Sequence, residues 1–183
     1  AEETLAALKE LTSDRTVACG RDPLVPIDHP QVGPRRARET FAIPPSRVSL
    51  AWKSPSMDHP GAPSFDARAA TLGRGRSSRL HLALREQQEL ALEISAYAWT
   101  GPGREGIFGV SADALPEHRD ALIDAIHREL SLIATAELEE DLAKAKRQIA
   151  ASQFRSLTTA SGRASDLASN WHEARDLNFT RRY

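Results

Sequence analysis

Apolar residues recur along this chain at two different spacings, and each spacing predicts a different kind of element. Positions three or four residues apart predict helices over residues 2–12, 64–73, 77–88, 116–133, 136–156 and 160–176, with a further helix after residue 180. Alternating apolar and polar positions predict strands over residues 35–43, 46–53, 91–99 and 105–112. The predicted order of elements is therefore α-β-β-α-α-β-β-α-α-α.

Turn-forming residues separate these elements. Residues 20–34 and 54–63 are rich in proline and predict irregular loops, and residues 100–104 predict a turn between two strands. Gly73 suits the end of one helix, and three residues, Ser77, Asp113 and Thr135, suit the N-cap positions of later helices. Consecutive antiparallel strands and consecutive helices predict an α+β fold, in which an antiparallel sheet has paired helices packed on one face.

The composition is that of an ordinary folded domain. The chain has 183 residues, of which 40% are hydrophobic and 27% charged, so we expect one domain, residues 1–183. The net charge of −1 gives no general attraction to nucleic acid or to an anionic membrane surface. No apolar run approaches the length of about 18 residues that predicts a membrane span. The single cysteine, Cys19, excludes an intrachain disulfide and a zinc site built on several cysteines.

The histidines do not form a known metal motif. There are six of them, at positions His29, His59, His81, His118, His127 and His172. None lies in a His-x-x-Glu-His pattern or its reverse, and no two have the spacing that puts two ligands on one face of a helix. We therefore expect no catalytic zinc on this chain.

Two arginine clusters leave two interpretations open. Arg74, Arg76 and Arg79 surround Gly75 before a predicted helix, where arginines and backbone N–H groups can bind an anion. The glycines are equally typical of a turn between two helices. The run Arg35–Arg38 predicts either a solvated strand edge or a nucleic-acid patch, and the balanced net charge favours the strand edge.

Several segments, taken in order, resemble one known family. They are the strand Val48–Lys53 with Ser54-Pro55 and Asp58-His59-Pro60 after it, the block Leu72–Leu80, the triplet Leu84-Arg85-Glu86, the turn Gly101–Gly106 and the helix Glu137–Lys146. Together they resemble the repeated domain of insulinase/pitrilysin zinc metallopeptidases, in particular the bacterial and mitochondrial-processing type with half-size subunits. The resemblance covers residues 2–180.

The resemblance implies the second, C-terminal domain of such a subunit, which does not bind zinc. In this family the first domain carries a His-x-x-Glu-His helix and a distal Glu, which hold zinc and polarise a water. This chain is expected to begin after the first strand of the second domain and to stop before its last helix and strand. We expect no catalytic residue, metal ligand or cofactor on this chain, and zinc on a partner domain.

The same resemblance implies the partners. They are a zinc-bearing domain or subunit of the family, in this polypeptide or another, and an unfolded peptide that the domains enclose. The complete protein is expected to be a dimer and a bacterial zinc metallopeptidase, and this chain is expected to be inactive alone. The sequence does not distinguish the bacterial cytoplasm from the periplasm.

Arg85 is the residue to which the resemblance assigns a substrate role. In some members, the Arg of the Leu-Arg-Glu segment and a Tyr seven positions later contact the bound peptide. Here Leu92 stands at the Tyr position, and Glu89 replaces the usual Gly. Arg85 is therefore a candidate substrate-binding residue, with a local ion pair as the alternative. For the whole chain, the alternative is a structural module that assembles a peptidase complex without touching substrate.

Overall fold

A computed structural model describes residues 2–13, 29–57, 59–101, 104–133 and 139–182 of the chain. The chain divides by its contacts into two units, residues 1–38 and 39–183. The first unit contains helix α1, Glu2–Thr12, which the leucine spacing predicted. Glu2 and Glu3 in its first turn and Lys9 in its last turn complement the helix dipole. Cys19 lies outside the described residues.

The described part of the second unit contains strands β1 (Ser46–Ser54), β2 (Glu93–Trp99) and β3 (Gly106–Ala114). Its α-helices are α2 (Ala62–Gly73), α3 (Arg119–Ile133), α4 (Glu139–Ser156), α5 (Ala160–Ala174) and α6 (Phe179–Arg182). A π-helix, His81–Gln87, lies between α2 and β2, and a 3-10 turn, Pro116–His118, precedes α3. Among the described residues, no helix combines the length and apolarity that crossing a membrane requires.

The strands form one antiparallel sheet in the order β1-β3-β2. Val110 of the central strand β3 pairs with Leu50 of β1 on one side and with Ala96 of β2 on the other. Because side chains alternate between the two faces of a sheet, these three share one face. The α+β class and the antiparallel sheet predicted from the sequence are confirmed.

The hydrophobic core lies between that face of the sheet and three helical segments, namely α2, the π-helix and α3. Its buried members are Leu72, Leu80, Leu84, Ala91, Ile94, Val110, Ala112, Ala114, Leu122, Ala125 and Ile126. Each fully buried leucine or isoleucine stabilises the fold by about 1.5–3 kcal/mol. This burial fixes the π-helix on the sheet. Helix α4 packs in turn against α2, where its Ala145 is buried.

The opposite face of the sheet is largely exposed. Tyr97 lies there above Gly109, where a Cβ would come within 2.4 Å of the Tyr97 ring atom Cζ. Arg47 donates hydrogen bonds to Asp113 from Nε at 3.0 Å and from Nη2 at 3.4 Å. The hydrogen bond to Asp113, together with its charge, raises the pKa of Arg47. Charged cross-strand pairs on this face are consistent with contact with water.

The strand predicted over residues 35–43 is wrong. These residues are in no strand, and all their side chains are exposed. A period-two pattern sets a strand only where one of its two faces is buried. Without a buried face or a neighbouring strand, the alternation in this segment has no structural consequence. Arg35–Arg38 is therefore not the edge of a sheet.

Two of the expected N-caps are wrong, whereas the helix end expected at Gly73 is found. Asp113 lies inside β3 and binds Arg47, so it does not cap α3. Ser77 lies in a turn two residues before the next helical residue, so it is not the N-cap; its carbonyl accepts a hydrogen bond from Lys144 Nζ at 2.9 Å. Gly73 is the last residue of α2 and packs closely on β2, since a Cβ there would lie 1.9 Å from Ala96 N. The remaining expected cap, Thr135, lies outside the described residues.

Candidate functional site

A tight turn after α2 leads into the candidate site. Gly75 has a φ of +86°, in the left-handed region that favours glycine, and its carbonyl accepts a hydrogen bond from Ser78 N at 3.0 Å. Arg79 Nε lies 3.5 Å from Glu129 Oε2 of α3. The structure therefore has the helix–helix turn, and one of the three arginines of the possible anion cluster pairs instead with a neighbouring helix.

The helix after this turn is wound as a π-helix over His81–Gln87. Gln88 N donates to the carbonyl of Ala83, five residues back, at 3.2 Å. Such helices are rare, mostly a single turn long, and frequent at functional sites. Leu80 and Leu84 are fully buried and fix it to the core. The spacing of these leucines predicts a helix, but it does not reveal the wider winding.

Arg85 lies on the outer side of the π-helix, with 44% of its side chain exposed. Its charged partner among the described residues is Glu86, and Arg85 Nε and Glu86 Oε1 are 4.0 Å apart. An exposed pair at the limit of ion-pair distance contributes less than about 1 kcal/mol. The Arg85 guanidinium is therefore weakly paired on a partly exposed side chain, and a carbonyl or carboxylate could accept hydrogen bonds from its N–H groups.

A sharp reversal joins the π-helix to β2. The carbonyl of Leu84 accepts hydrogen bonds from both Leu90 N at 2.9 Å and Ala91 N at 3.0 Å. Glu89 sits in the reversal with a φ of +53°, in the left-handed region where a Cβ is strained. The resemblance assigns Gly to this position. The backbone thus keeps a conformation that suits glycine, although the residue here is Glu.

Leu92 stands just after the reversal, at the position where the resemblance implies Tyr. Its side chain is 49% exposed, and its N–H donates to the carbonyl of Asp113 at 2.8 Å. Arg85 and Leu92 each lie one residue beyond Leu84 and Ala91, which the reversal joins by a hydrogen bond. The reversal therefore brings the backbone of position 92 close to that of the π-helix. A leucine side chain at this position supplies no hydroxyl.

The histidines are spread over separate environments. His59 Nδ1 accepts a hydrogen bond from Gly61 N at 3.0 Å, and His127 meets Trp52 edge-on with 6.0 Å between ring centroids. In the part of the chain that the structure describes, no group of three or more His, Cys, Asp or Glu side chains could hold a metal ion.

Sequence reasoning missed one contact of the site. His81 is buried, and its Nε2 lies 3.3 Å from Glu86 Oε1, within ion-pair distance but outside hydrogen-bond geometry. In an α-helix, residues five apart point about 140° away from each other, so the i, i+5 spacing gives no reason to pair them. The π-helix makes them neighbours. No signal in the sequence marks that winding.

The comparison with protein families decides what this domain is. Residues 1–149 match the family described as the peptidase M16 inactive domain. The chain belongs to this M16 family. The resemblance to the non-zinc-binding domain of insulinase/pitrilysin peptidases is thereby confirmed. No curated protein shows a significant sequence match to the chain.

Solved structures share the fold of this M16 domain. The inactive peptidase domain of a proposed zinc protease from Bordetella parapertussis has a TM-score of 0.64 and 18% identity, over 73% of this chain and 72% of that one. A protease from Helicobacter pylori has a TM-score of 0.62 and 22% identity, over 78% of this chain and 35% of that one. Complex III from Candida albicans has a TM-score of 0.61 and 19% identity, over 72% and 34%. The M16 domain thus spans about a third of the length of the Helicobacter protease.

Proposed function

We propose that this M16 domain is the non-catalytic half of a zinc-dependent peptidase, which encloses an unfolded peptide and positions it for a zinc site on another domain or subunit. The observation that carries this is Arg85, exposed on a π-helix of an inactive peptidase domain and paired weakly with Glu86. An extended peptide offers main-chain carbonyls and carboxylates, and a guanidinium binds both with a fork of N–H donors.

The proposed division of labour follows from what zinc hydrolysis requires. A catalytic zinc takes about three protein ligands and keeps one position open for water. We therefore propose that the zinc and the attacking water belong to the partner. The described residues offer no such ligand group, which is compatible with this division. This domain would supply orientation, which lowers the barrier by holding the scissile bond in place. We propose a dimer of the complete protein as the closed form.

Leu92 favours a second candidate, a domain that only assembles the peptidase. A leucine side chain at this exposed position cannot donate or accept a hydrogen bond, so half of the peptide-binding pair is missing. In that case Arg85 would have no peptide partner. The domain would then contribute contact surface to the assembled complex and nothing to substrate affinity.

Metal content and cleavage test the division of labour directly. We expect purified residues 1–183 to bind no stoichiometric zinc by mass spectrometry and to leave a fluorogenic unfolded peptide uncut. The complete protein with its zinc-bearing half should cut the same peptide, and a chelator should stop it. One tightly bound zinc per 1–183 chain, with chelator-sensitive cleavage, would overturn the proposal.

Arg85→Ala in the complete protein separates the two candidates. Loss of a charge-assisted contact costs about 1.5–3 kcal/mol, so kcat/KM should fall at least about tenfold while the melting temperature stays nearly constant. Arg128→Ala, which removes an exposed arginine of α3, is the matched control and should leave the kinetics unchanged. If Arg85→Ala behaves like Arg128→Ala, the assembly candidate replaces the substrate-binding one.

A further inference from the structure

We infer that His81 and Glu86 are positioning residues that hold Arg85 in place for peptide binding. The inference rests on the proposed substrate role of Arg85. It adds two residues that act on the peptide only through the guanidinium, and it gives the π-helix a purpose in the site.

The contacts run through one carboxylate oxygen. Glu86 Oε1 lies 3.3 Å from His81 Nε2 on its inner side and 4.0 Å from Arg85 Nε on its outer side. His81 has 8% of its side chain exposed, Glu86 57% and Arg85 44%. The three side chains therefore form a path from the core to the solvent, with Glu86 as the link.

The burial of His81 indicates which of the three side chains restrains the others. The Nε2 atom of His81 is buried without a hydrogen bond among the described residues, and an unsatisfied buried polar group costs about 1–3 kcal/mol. Glu86 is the carboxylate within reach, so a small rotation of either side chain satisfies the imidazole. Since His81 has 8% of its side chain exposed and Glu86 57%, the imidazole is the more confined of the two and would restrain Glu86.

A restrained Glu86 in turn restrains Arg85. A free arginine side chain loses about 1.5–2 kcal/mol of rotamer entropy when it is immobilised on a ligand. If Glu86 holds the guanidinium before the peptide arrives, part of the rotamer entropy of Arg85 is lost before binding. Binding then costs less entropy, and preordered groups bind more tightly. Arg79 and Glu129 form a separate pair between this helical segment and α3, so they do not compete for Glu86.

The π-helix is what makes the path possible. Its i→i+5 winding brings His81 and Glu86 together, which an α-helix of the same sequence would not do. The same segment ends in the reversal that presents position 92. The unusual winding therefore organises both the buried anchor and the exposed arginine.

Single variants of His81 and Glu86, made with and without Arg85→Ala, test this in the complete peptidase. His81→Leu removes the imidazole, and Glu86→Ala removes the link from the exposed side without disturbing the core. Each should raise KM for the fluorogenic peptide about two- to fivefold and leave kcat within about twofold. His81→Gln keeps an N–H donor and should restore most of the affinity. In an Arg85→Ala background, neither His81→Leu nor Glu86→Ala should add a further change.

The outcomes distinguish this inference from the proposed function. If Arg85→Ala itself leaves KM unchanged, the substrate role fails and the positioning role fails with it. If Arg85→Ala raises KM but the other two variants do not, or raise it equally in both backgrounds, only the positioning role is wrong. Should His81→Leu fail to fold, Glu86→Ala and its Arg85→Ala double variant still decide.

Discussion

The inner and outer sides of the segment Leu80–Leu92 have opposite relations to the family pattern. On the inner side, Leu80 and Leu84 are buried and match the resemblance. On the outer side, Glu89 and Leu92 are exposed, and both depart from it. Arg85 and Glu86 are outer residues that still match.

The difference shows where this fold tolerates change. Burial constrains the inner side, because a lost methylene there leaves a cavity that the sheet and α3 cannot close. On the outer side, a new side chain points into water and costs little. The departures at Glu89 and Leu92 are therefore compatible with an intact M16 domain.

The largest expected effect is on the inner side. Leu84→Ala should lower the free energy of unfolding by about 2–5 kcal/mol, because Leu84 is fully buried between the sheet and the helices. Leu82→Ala is the matched control on the same π-helix, where the leucine is 43% exposed, and it should cost no more than about 0.5 kcal/mol. Urea unfolding of both variants measures the contrast. Equal losses would mean that the two sides of the helix are not energetically distinct.

Much of the fold was accessible from the sequence, because burial leaves a periodic trace. The alternation at Val48, Leu50 and Trp52 gave β1 correctly, and the stripe at Leu122 and Ile126 gave α3. The prediction failed where a pattern had no buried face behind it, as at residues 35–43. It also failed where a residue makes a tertiary contact instead of the expected local one, since the expected cap Asp113 pairs with Arg47.

The candidate site was less accessible, and for a different reason. Arg85 came from the family resemblance, since no physical pattern distinguishes one exposed arginine from another. The pairing of His81 with Glu86 depends on the π-helix, and the residue spacing gives no sign of it. The left-handed φ of Glu89 was equally hidden, because a glutamate predicts an ordinary backbone.

Glu89 provides a prediction of intermediate size on the outer side. Glu89→Gly should stabilise the domain by about 0.5–1 kcal/mol, since glycine removes the strain of a Cβ at a φ of +53° but loses more entropy on folding. Thermal unfolding of the purified domain measures the gain. Glu89→Ala keeps the Cβ and should give no gain. A gain with alanine as large as that with glycine would trace the effect to the glutamate charge instead.

Arg175 offers an internal control for the same strain. It caps α5 with a φ of +54°, but its guanidinium also lies 5.9 Å from the centre of the Trp171 ring. Arg175→Gly relieves the strain and removes this cation–π contact, which contributes about 0.5–1 kcal/mol. The two changes should nearly cancel, so Arg175→Gly should gain less stability than Glu89→Gly. A larger gain at Arg175 would contradict the strain interpretation of both sites.

Leu92→Tyr should have the smallest effect and the most specific one. Position 92 is half exposed, so the free energy of unfolding should change by no more than about 0.5 kcal/mol. If Arg85 contacts the peptide as proposed, the added hydroxyl should lower the KM of the complete protein about two- to threefold, the size of one hydrogen bond to an exposed group. Leu92→Phe adds the ring without the hydroxyl and should leave KM unchanged.

Because the hydroxyl acts beside the arginine, the gain in affinity from Leu92→Tyr should shrink in an Arg85→Ala background, as expected for neighbouring groups on one ligand. An equal gain from Phe would assign the effect to apolar contact, and no gain from Tyr would place the peptide away from this end of the π-helix.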